Sequence, residues 1–339
     1  MDDIRDIVSS LGEPLQYFPL QAGAFEFTVG LRRLPPEAGD GIDGLIQIDK
    51  QWPRYRKEKL DARREQVDKY ICSKDLSEPA RYRATAVLID YLLRTWPALF
   101  RWDDDGDITR LHCELSGETL FLDPSLELIR CKSATDNPPQ PGYINALDAL
   151  CCQIHEDLAI CQRQDQSQDS GNHITYLHLC LPNHWAPGDK IGRDFIGIHG
   201  PVPGMTRINR HAATLIRMLT GTKSYERFAW GLTTDARLNH HPHAVNGPHG
   251  TEIGREQHTG RRFDSSDPKV YLRVERQVCH GLADVGAFLF LIRTYVYDIR
   301  TLERQQLIRL THTLETMSAE IRAYKGVTDE LIHCLTQSI

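Results

Sequence analysis

Apolar and polar residues alternate over residues 25–34 (FEFTVGLRRL) and again over 44–50 (GLIQIDK). Both segments are rich in aromatic or β-branched side chains, so each predicts a strand. The acidic, Gly-containing stretch 35–43 between them predicts the loop of a hairpin. The period then lengthens. Residues 52–72 are strongly charged, with Leu60, Val67, Tyr70 and Ile71 spaced for one face, and 78–99 carry Ala84, Val87, Leu88, Tyr91, Leu92 and Trp96 at helical spacing. Two surface helices are predicted. Short alternating stretches follow at 111–129, then a loop at 133–142 marked by Asn-Pro-Pro and Gln-Pro-Gly, a helix at 144–160 ending in HEDLAI, and a polar turn at 162–172.

The second half reads as a strand at 174–181, a Pro/Gly-rich segment, a helix at about 206–220, a strand at 225–234, a long loop, strands at 270–278 and 286–297, and helices at 300–323 and 327–337. The fold class is α+β. A strand, short helices, a longer helix and three consecutive antiparallel strands follow the order of a PAS module, in which a sheet and its flanking helices enclose a pocket for a flat cofactor. The expected organisation is one PAS-like domain over residues 1–339, with an N-terminal extension over about 1–140 and a helical C-terminal extension over about 300–339.

Composition narrows the function. With 40% hydrophobic and 25% charged residues in 339, the chain is ordinary globular protein with a sizeable core. A net charge of −6 argues against sequence-independent nucleic-acid binding, which needs clustered Lys and Arg to displace counterions. The amino terminus, MDDIRDIVSS, is acidic where a secretory signal is basic, and the uncharged apolar run 285–292 is too short to span a bilayer. A soluble, cytoplasmic protein acting on a small molecule is expected. Its nine cysteines include no CxxC pair, which leaves neither a disulfide frame nor a zinc or iron–sulfur site visible.

Chemistry concentrates in residues 181–204, LPNHWAPGDKIGRDFIGIHGPVPG. Pro182, Pro187, Pro201 and Pro203 fix φ, while Gly188, Gly192, Gly200 and Gly204 admit unusual backbone. His199 closes an apolar run on this rigid corner, an environment that suits a metal or heme iron. His211, which opens the helix at 206–220, is the rival ligand; His178 and His184 read as structural or surface residues. Residues 239–258 gather His240, His241, His243, His249 and His258 among Pro, Gly and Asn, and read as an inserted loop or lid.

The strands carry a further signal. Alternation puts Arg273, Glu275 and Gln277 on one face and Val274, Arg276 and Val278 on the other, with Arg227 and Arg293 on the neighbouring strands. Ions lining a pocket cost several kcal/mol each unless partners or a ligand satisfy them. Such a face signals either an internal ion pair or a bound polar group. On the second reading Arg anchors acidic groups such as heme propionates, and Glu or Gln polarises substrate and oxygen.

These segments together resemble a known family, the α subunit of heme-dependent oxidative N-demethylases. The resemblance rests on FTVGLRRL, IQIDKQWPRYRKEKL, IHEDLAI, the 181–204 segment, RFAWGLT, LRVERQ with FLFLIRTY, and AYKG at 323–326, in that order. It implies heme b in a PAS pocket, oxygen activation at the iron, and oxidation of an N-methyl group with release of formaldehyde. By the same carry-over His199 is the iron ligand, Arg227, Trp230, Arg293 and Lys190 hold the cofactor, and Glu275, Arg273 and Gln277 are catalytic. Electrons come from an external flavin and iron–sulfur reductase, since this chain has neither a dinucleotide Gly-rich fingerprint nor Cys ligands.

The chain also departs from the family. Ala229 replaces an Asn in the Arg-x-Asn-Trp pattern, His155 replaces a Gln before Glu156-Asp157, and CHGLADVG at 279–286 replaces a more basic turn. An amine other than dimethylamine is therefore open, as is a homo-oligomer. The alternative reading is a heme-binding PAS sensor or ligand-binding protein without turnover.

Overall fold

A computed structural model describes residues 2–26, 28–35, 44–134, 138–163, 171–199, 202–205, 209–245, 263–266 and 268–337. The fold is α+β, with two antiparallel sheets. The helices are α1 (Asp2–Ser10), α2 (Trp52–Glu65), α3 (Val67–Tyr70), α4 (Glu78–Thr95), α5 (Ala146–Cys151), α6 (Phe195–His199), α7 (Ala212–Leu219), α8 (Arg304–Glu315), α9 (Ala319–Lys325) and α10 (Asp329–Gln337). The strands are β1 (Arg32–Arg33), β2 (Ile71–Ser73), β3 (Phe100–Asp104), β4 (Thr109–Cys113), β5 (Glu118–Leu122), β6 (Leu128–Ser133), β7 (Asp157–Arg163), β8 (Asn172–His178), β9 (Ser224–Thr233), β10 (Tyr271–Leu282) and β11 (Ala287–Asp298). The larger sheet runs β1-β9-β10-β11-β7-β8-β2; β3 to β6 form a separate meander.

The three expected strands of the second half appear as β9, β10 and β11, with β10 extending to Leu282. Gly286 closes the β10–β11 connection at φ +61°, a conformation that costs glycine nothing. Registers fix the faces: Glu275 lies between Ala229 of β9 and Thr294 of β11, while Arg276 lies between Phe228 and Arg293. On one face Leu272, Val274 and Tyr295 pack against Leu310, Leu314, Leu331 and Leu335 of the closing helices. On the other, Cys279 and Phe288 join Ala159, Ile174, Leu177, Ile216 and Leu219. The first half packs α2, α4 and α5 into the largest core cluster, centred on Tyr55, Leu88, Leu92 and Leu150. No helix among the described residues is long and apolar enough to cross a membrane.

Several expected elements differ, and each difference has a local cause. The helix expected at 144–160 is only α5, capped by Asn145, after which the chain turns into β7. Lys59 Nζ takes the carbonyls of Cys151, Ile154 and Glu156, acceptors that a continuing helix would have bonded to its own amides. Among the described residues the expected hairpin at 25–34 and 44–50 does not form: Arg32–Arg33 pair with β9, and residues 27 and 36–43 lie outside the described residues. The backbone of 44–50 is instead satisfied by side chains. Gln47 N donates to Glu156 at 3.0 Å, while Arg276 takes the Gly44 carbonyl and Arg293 that of Gln47. The charged stretch 52–72 breaks at Gln66, which is extended at φ −172°, into α2, α3 and then β2. The long helix expected at 300–323 breaks where Ser318 caps α9, accepting from Ile321 N. Of the helix at 206–220, α7 is the described part.

Candidate functional site

Strands β9 and β10 present Arg227, Ala229 and Gly231 beside Gln277, Glu275 and Arg273 on one face of the larger sheet, in register. Over this face lie the 181–199 segment and α7. Between them are two cavities of about 220 Å³ and about 540 Å³ that share His199, Arg227, Lys190, Glu275, Gln277 and Trp185 in their walls. The smaller is an apolar slot floored by Ala159, Ile174, Leu177, Phe288, Phe290 and Ile292. The larger continues along β9 to Phe228, Trp230, Phe25, Tyr324 and Lys325.

His199 ends the short helix α6. Its Nδ1 lies 2.8 Å from the Phe195 carbonyl, and the Phe195 ring centroid is 4.3 Å from the imidazole. A carbonyl can only accept, so Nδ1 carries the proton and Nε2 keeps its lone pair. Burial lowers the imidazole pKa to about 4, with the Phe195 carbonyl opposing, so the ring is neutral at pH 7. A neutral imidazole with one nitrogen anchored to a backbone carbonyl is the form that ligates metals. His211, at the exposed start of α7, lines neither cavity.

The polar groups divide between wall and scaffold. Arg227 lines both cavities, and its buried Nε has no hydrogen-bond partner among the described residues. Burial pushes its pKa down, against the attraction of Cys279 and Glu275. Lys190 lines both cavities, with its ammonium 4.6 Å from the centroid of the Trp185 ring; burial lowers its pKa, opposed by Glu275. Glu275 accepts from Gln277 Nε2 at 3.0 Å and faces Arg273 Nε at 3.5 Å. Trp230 lines the larger cavity alone, and Lys325 donates to its carbonyl at 2.7 Å while standing over its ring. Among the described residues, the walls hold the cations Lys190, Arg193, Arg227 and Lys325 against the carboxylates Glu26 and Glu275, a surplus of two positive charges.

Arg273 and Arg293 line neither cavity. Arg273 is fully buried and donates to the carbonyls of Leu238 and Leu181 at 2.9 and 2.8 Å and to Thr294 Oγ1, clamping two loops to β10 behind Glu275. Arg293 lies on the opposite face, bonded to Asp49 and the Gln47 carbonyl between the rings of Tyr55 and Tyr295. Burial alone would raise Asp49, but the hydrogen bond from His155 and the charge of Arg293 outweigh it and hold the carboxyl at about 2. Pattern reasoning missed Trp185, Phe195, Cys279 and Lys325 as wall residues. Of these, Trp185 and Lys325 sit inside the PNHW and AYKG motifs, which was the available signal.

His178, His184 and His240 are structural. His178 is buried, not superficial, and Nε2 lies 3.2 Å from Asp148. With Cys152, or with Asp157 and Cys180, it has the proximity of a metal set. Those carboxylates are already engaged, Asp148 by two bonds from Arg63 and Asp157 by the amides of Cys180 and Leu181. His184 is buried in a turn at φ +60°, its ring 4.9 Å from that of His240, which bonds Asp235 at 2.9 Å. His249 and His258 lie outside the described residues.

Comparison with known proteins gives one family, described as haem-dependent oxidative N-demethylase, alpha subunit-like, matching residues 39–330. No curated protein matches the chain.

Proposed function

The chain belongs to the haem-dependent oxidative N-demethylase alpha subunit-like family, and from that premise we propose that it binds heme b through His199 in a PAS-like pocket and oxidises an N-methyl amine with O2. The observation that carries this reading is His199, whose Nδ1 is held by the Phe195 carbonyl at 2.8 Å on the wall of an apolar slot. The surplus of two positive charges over both walls matches the two propionates of a heme, and the buried Nε of Arg227, without a partner among the described residues, is a donor for such an acceptor. When bound, heme supplies oxygen binding and the oxidation.

The chain's own groups do the rest. His199 Nε2 would be the ligand to the heme iron, and Arg227 and Lys190 would hold the propionates. Glu275 receives the amine N–H, and the hydrogen bond from Gln277 at 3.0 Å fixes the carboxylate for that contact. The apolar floor excludes water, which strengthens each of these interactions. Arg273 and Arg293, buried in other contacts, act by positioning the strands. Residues of about 1–140 and 300–339 extend the central β7–β11 unit. Electrons are delivered by a separate flavin and iron–sulfur reductase, and the nine free cysteines accord with a reducing, cytoplasmic setting.

The test is the ultraviolet–visible spectrum of the purified protein, oxidised, dithionite-reduced and reduced with carbon monoxide, beside His199→Ala. A Soret band that moves on reduction and on carbon monoxide, and is lost in the variant, supports the assignment. A featureless spectrum after adding hemin overturns it. A heme spectrum without formaldehyde release from any methylated amine favours sensing over turnover.

A further inference from the structure

Strand β1 pairs with only Glu226 and Tyr225 of β9, so residues 227–233 form an edge that β1 leaves uncovered. Successive residues of a strand point to opposite faces. Arg227, Ala229 and Gly231 belong to the face of Glu275, Phe228 and Trp230 to the other, yet all five line the 540 Å³ cavity. The cavity therefore turns around the part of the β9 edge that β1 leaves unpaired, where Lys325 takes the Trp230 carbonyl. It begins beside His199 and Glu275 and ends against Trp230, Phe25 and Tyr324, where Phe25 and Trp230 pack on the C-terminal helical cluster.

The wall along this turn is stripped of bulk. Ala229 stands directly across from Glu275, and Gly231 follows on the same face. A Cβ built on Gly231 would meet nothing within 4 Å, so this glycine is not required by close packing. Its φ is not positive either, so no turn requires it. Small residues here serve the open space beside the carboxylate.

Resting on the reading of the site as a heme-dependent N-demethylase, we propose that the substrate is a secondary N-methylamine carrying one ring-sized apolar group. The nitrogen meets Glu275, and the group passes over Ala229 and Gly231 to lie against Trp230 and Phe25. A macrocycle held by His199 on the face of Glu275 would leave the space around the strand edge, against Trp230 and Phe25, to the substrate. An amine of three heavy atoms cannot use that space: ligand efficiency caps so small a molecule near about 1 mM, while burying a phenyl ring adds roughly tenfold or more.

The experiment compares dimethylamine with N-methylbenzylamine on wild-type protein, Ala229→Leu and Gly231→Val. Affinity is read by calorimetry and by quenching of tryptophan fluorescence, with formaldehyde release measured in parallel. Wild type is expected to bind N-methylbenzylamine at least about tenfold more tightly. Filling the trough is expected to abolish that preference, with unchanged thermal unfolding confirming that the variants fold. Equal affinities in wild type, or a preference that survives both substitutions, overturns the proposal. Because calorimetry needs no turnover, a protein without a Soret band that still prefers the larger amine refutes the heme reading and retains the substrate class.

Discussion

Arg227 shows how one side chain's state follows from what it lacks. A guanidinium keeps its charge at any accessible pH, so burying it with a partnerless Nε costs free energy until an anion arrives. Arg227→Ala is accordingly expected to weaken heme retention. Losing one charge-assisted bond is worth about 1.5–3 kcal/mol, roughly 10- to 100-fold, measurable as faster transfer of hemin to a competing apoprotein. The same substitution leaves Glu275 with Arg273 at 3.5 Å and Gln277 at 3.0 Å, so little loss of stability is expected in urea. Arg273 differs in that its two terminal nitrogens hold loop carbonyls, while its Nε, also without a hydrogen-bond partner among the described residues, faces Glu275 at 3.5 Å. Arg273→Met strands those carbonyls and removes the cation beside buried Glu275, and a loss of about 3–5 kcal/mol is expected in urea denaturation. Residue types and strand alternation revealed the shared face of Arg273, Glu275 and Gln277. Only the packed loops decide that Arg273 is spent on Leu181 and Leu238.

At the level of elements, the site depends on how closely the turn after α7 approaches β10. A Cβ on Gly281 would lie 1.9 Å from the Gly221 carbonyl oxygen. That atom is backbone and cannot swing away, so Gly281→Ala must part the turn from the strand at an expected cost of about 1–3 kcal/mol or more. Because α7 contributes Leu215 and Leu219 to the slot, the same variant is expected to hold heme more weakly, which a shifted or bleached Soret band would show. The absent hairpin and the shortened helix 144–160 share one physical origin. In both, long buried side chains, Lys59, Arg276 and Arg293, take backbone carbonyls that local pattern assigns to a ladder or a helix. Periodicity along a chain carries no information about a guanidinium arriving from more than 200 residues away.

Across the whole molecule, acid stability is set by histidines buried neutral. Burial lowers His240 and His241 to about 4 and His155 to about 3, with Arg273 assisting at His240, Lys69 at His241 and Arg293 at His155, while Asp235 and Asp49 oppose at His240 and His155. Each folded pKa lies below the unfolded value near 6.5, so the unfolded chain binds more protons at acid pH. Their contribution is complete above about pH 6.5 and is lost as pH falls toward 4 and then 3. Urea denaturation at stepped pH is expected to show nearly constant stability from pH 8 to 7 and a steep decline below 6.5, made shallower by His240→Gln. Heme, binding the folded state alone, is expected to raise the melting temperature with increasing hemin, an effect His199→Ala removes.

The sequence by itself determined the three long antiparallel strands and the polar face of β10, and pointed to the segment ending in His199. Each depends on residue type and short-range periodicity, and Pro, Gly and alternation act within a few residues. Tertiary structure alone decided which of two histidines reaches a cavity, which arginines are left to meet an anion, and that the larger cavity rounds the edge of β9. Those outcomes depend on burial and on partners distant in the chain: His199 and His211 are similar as sequence signals, and the slot formed by β7, β8, β10 and β11 encloses only the first.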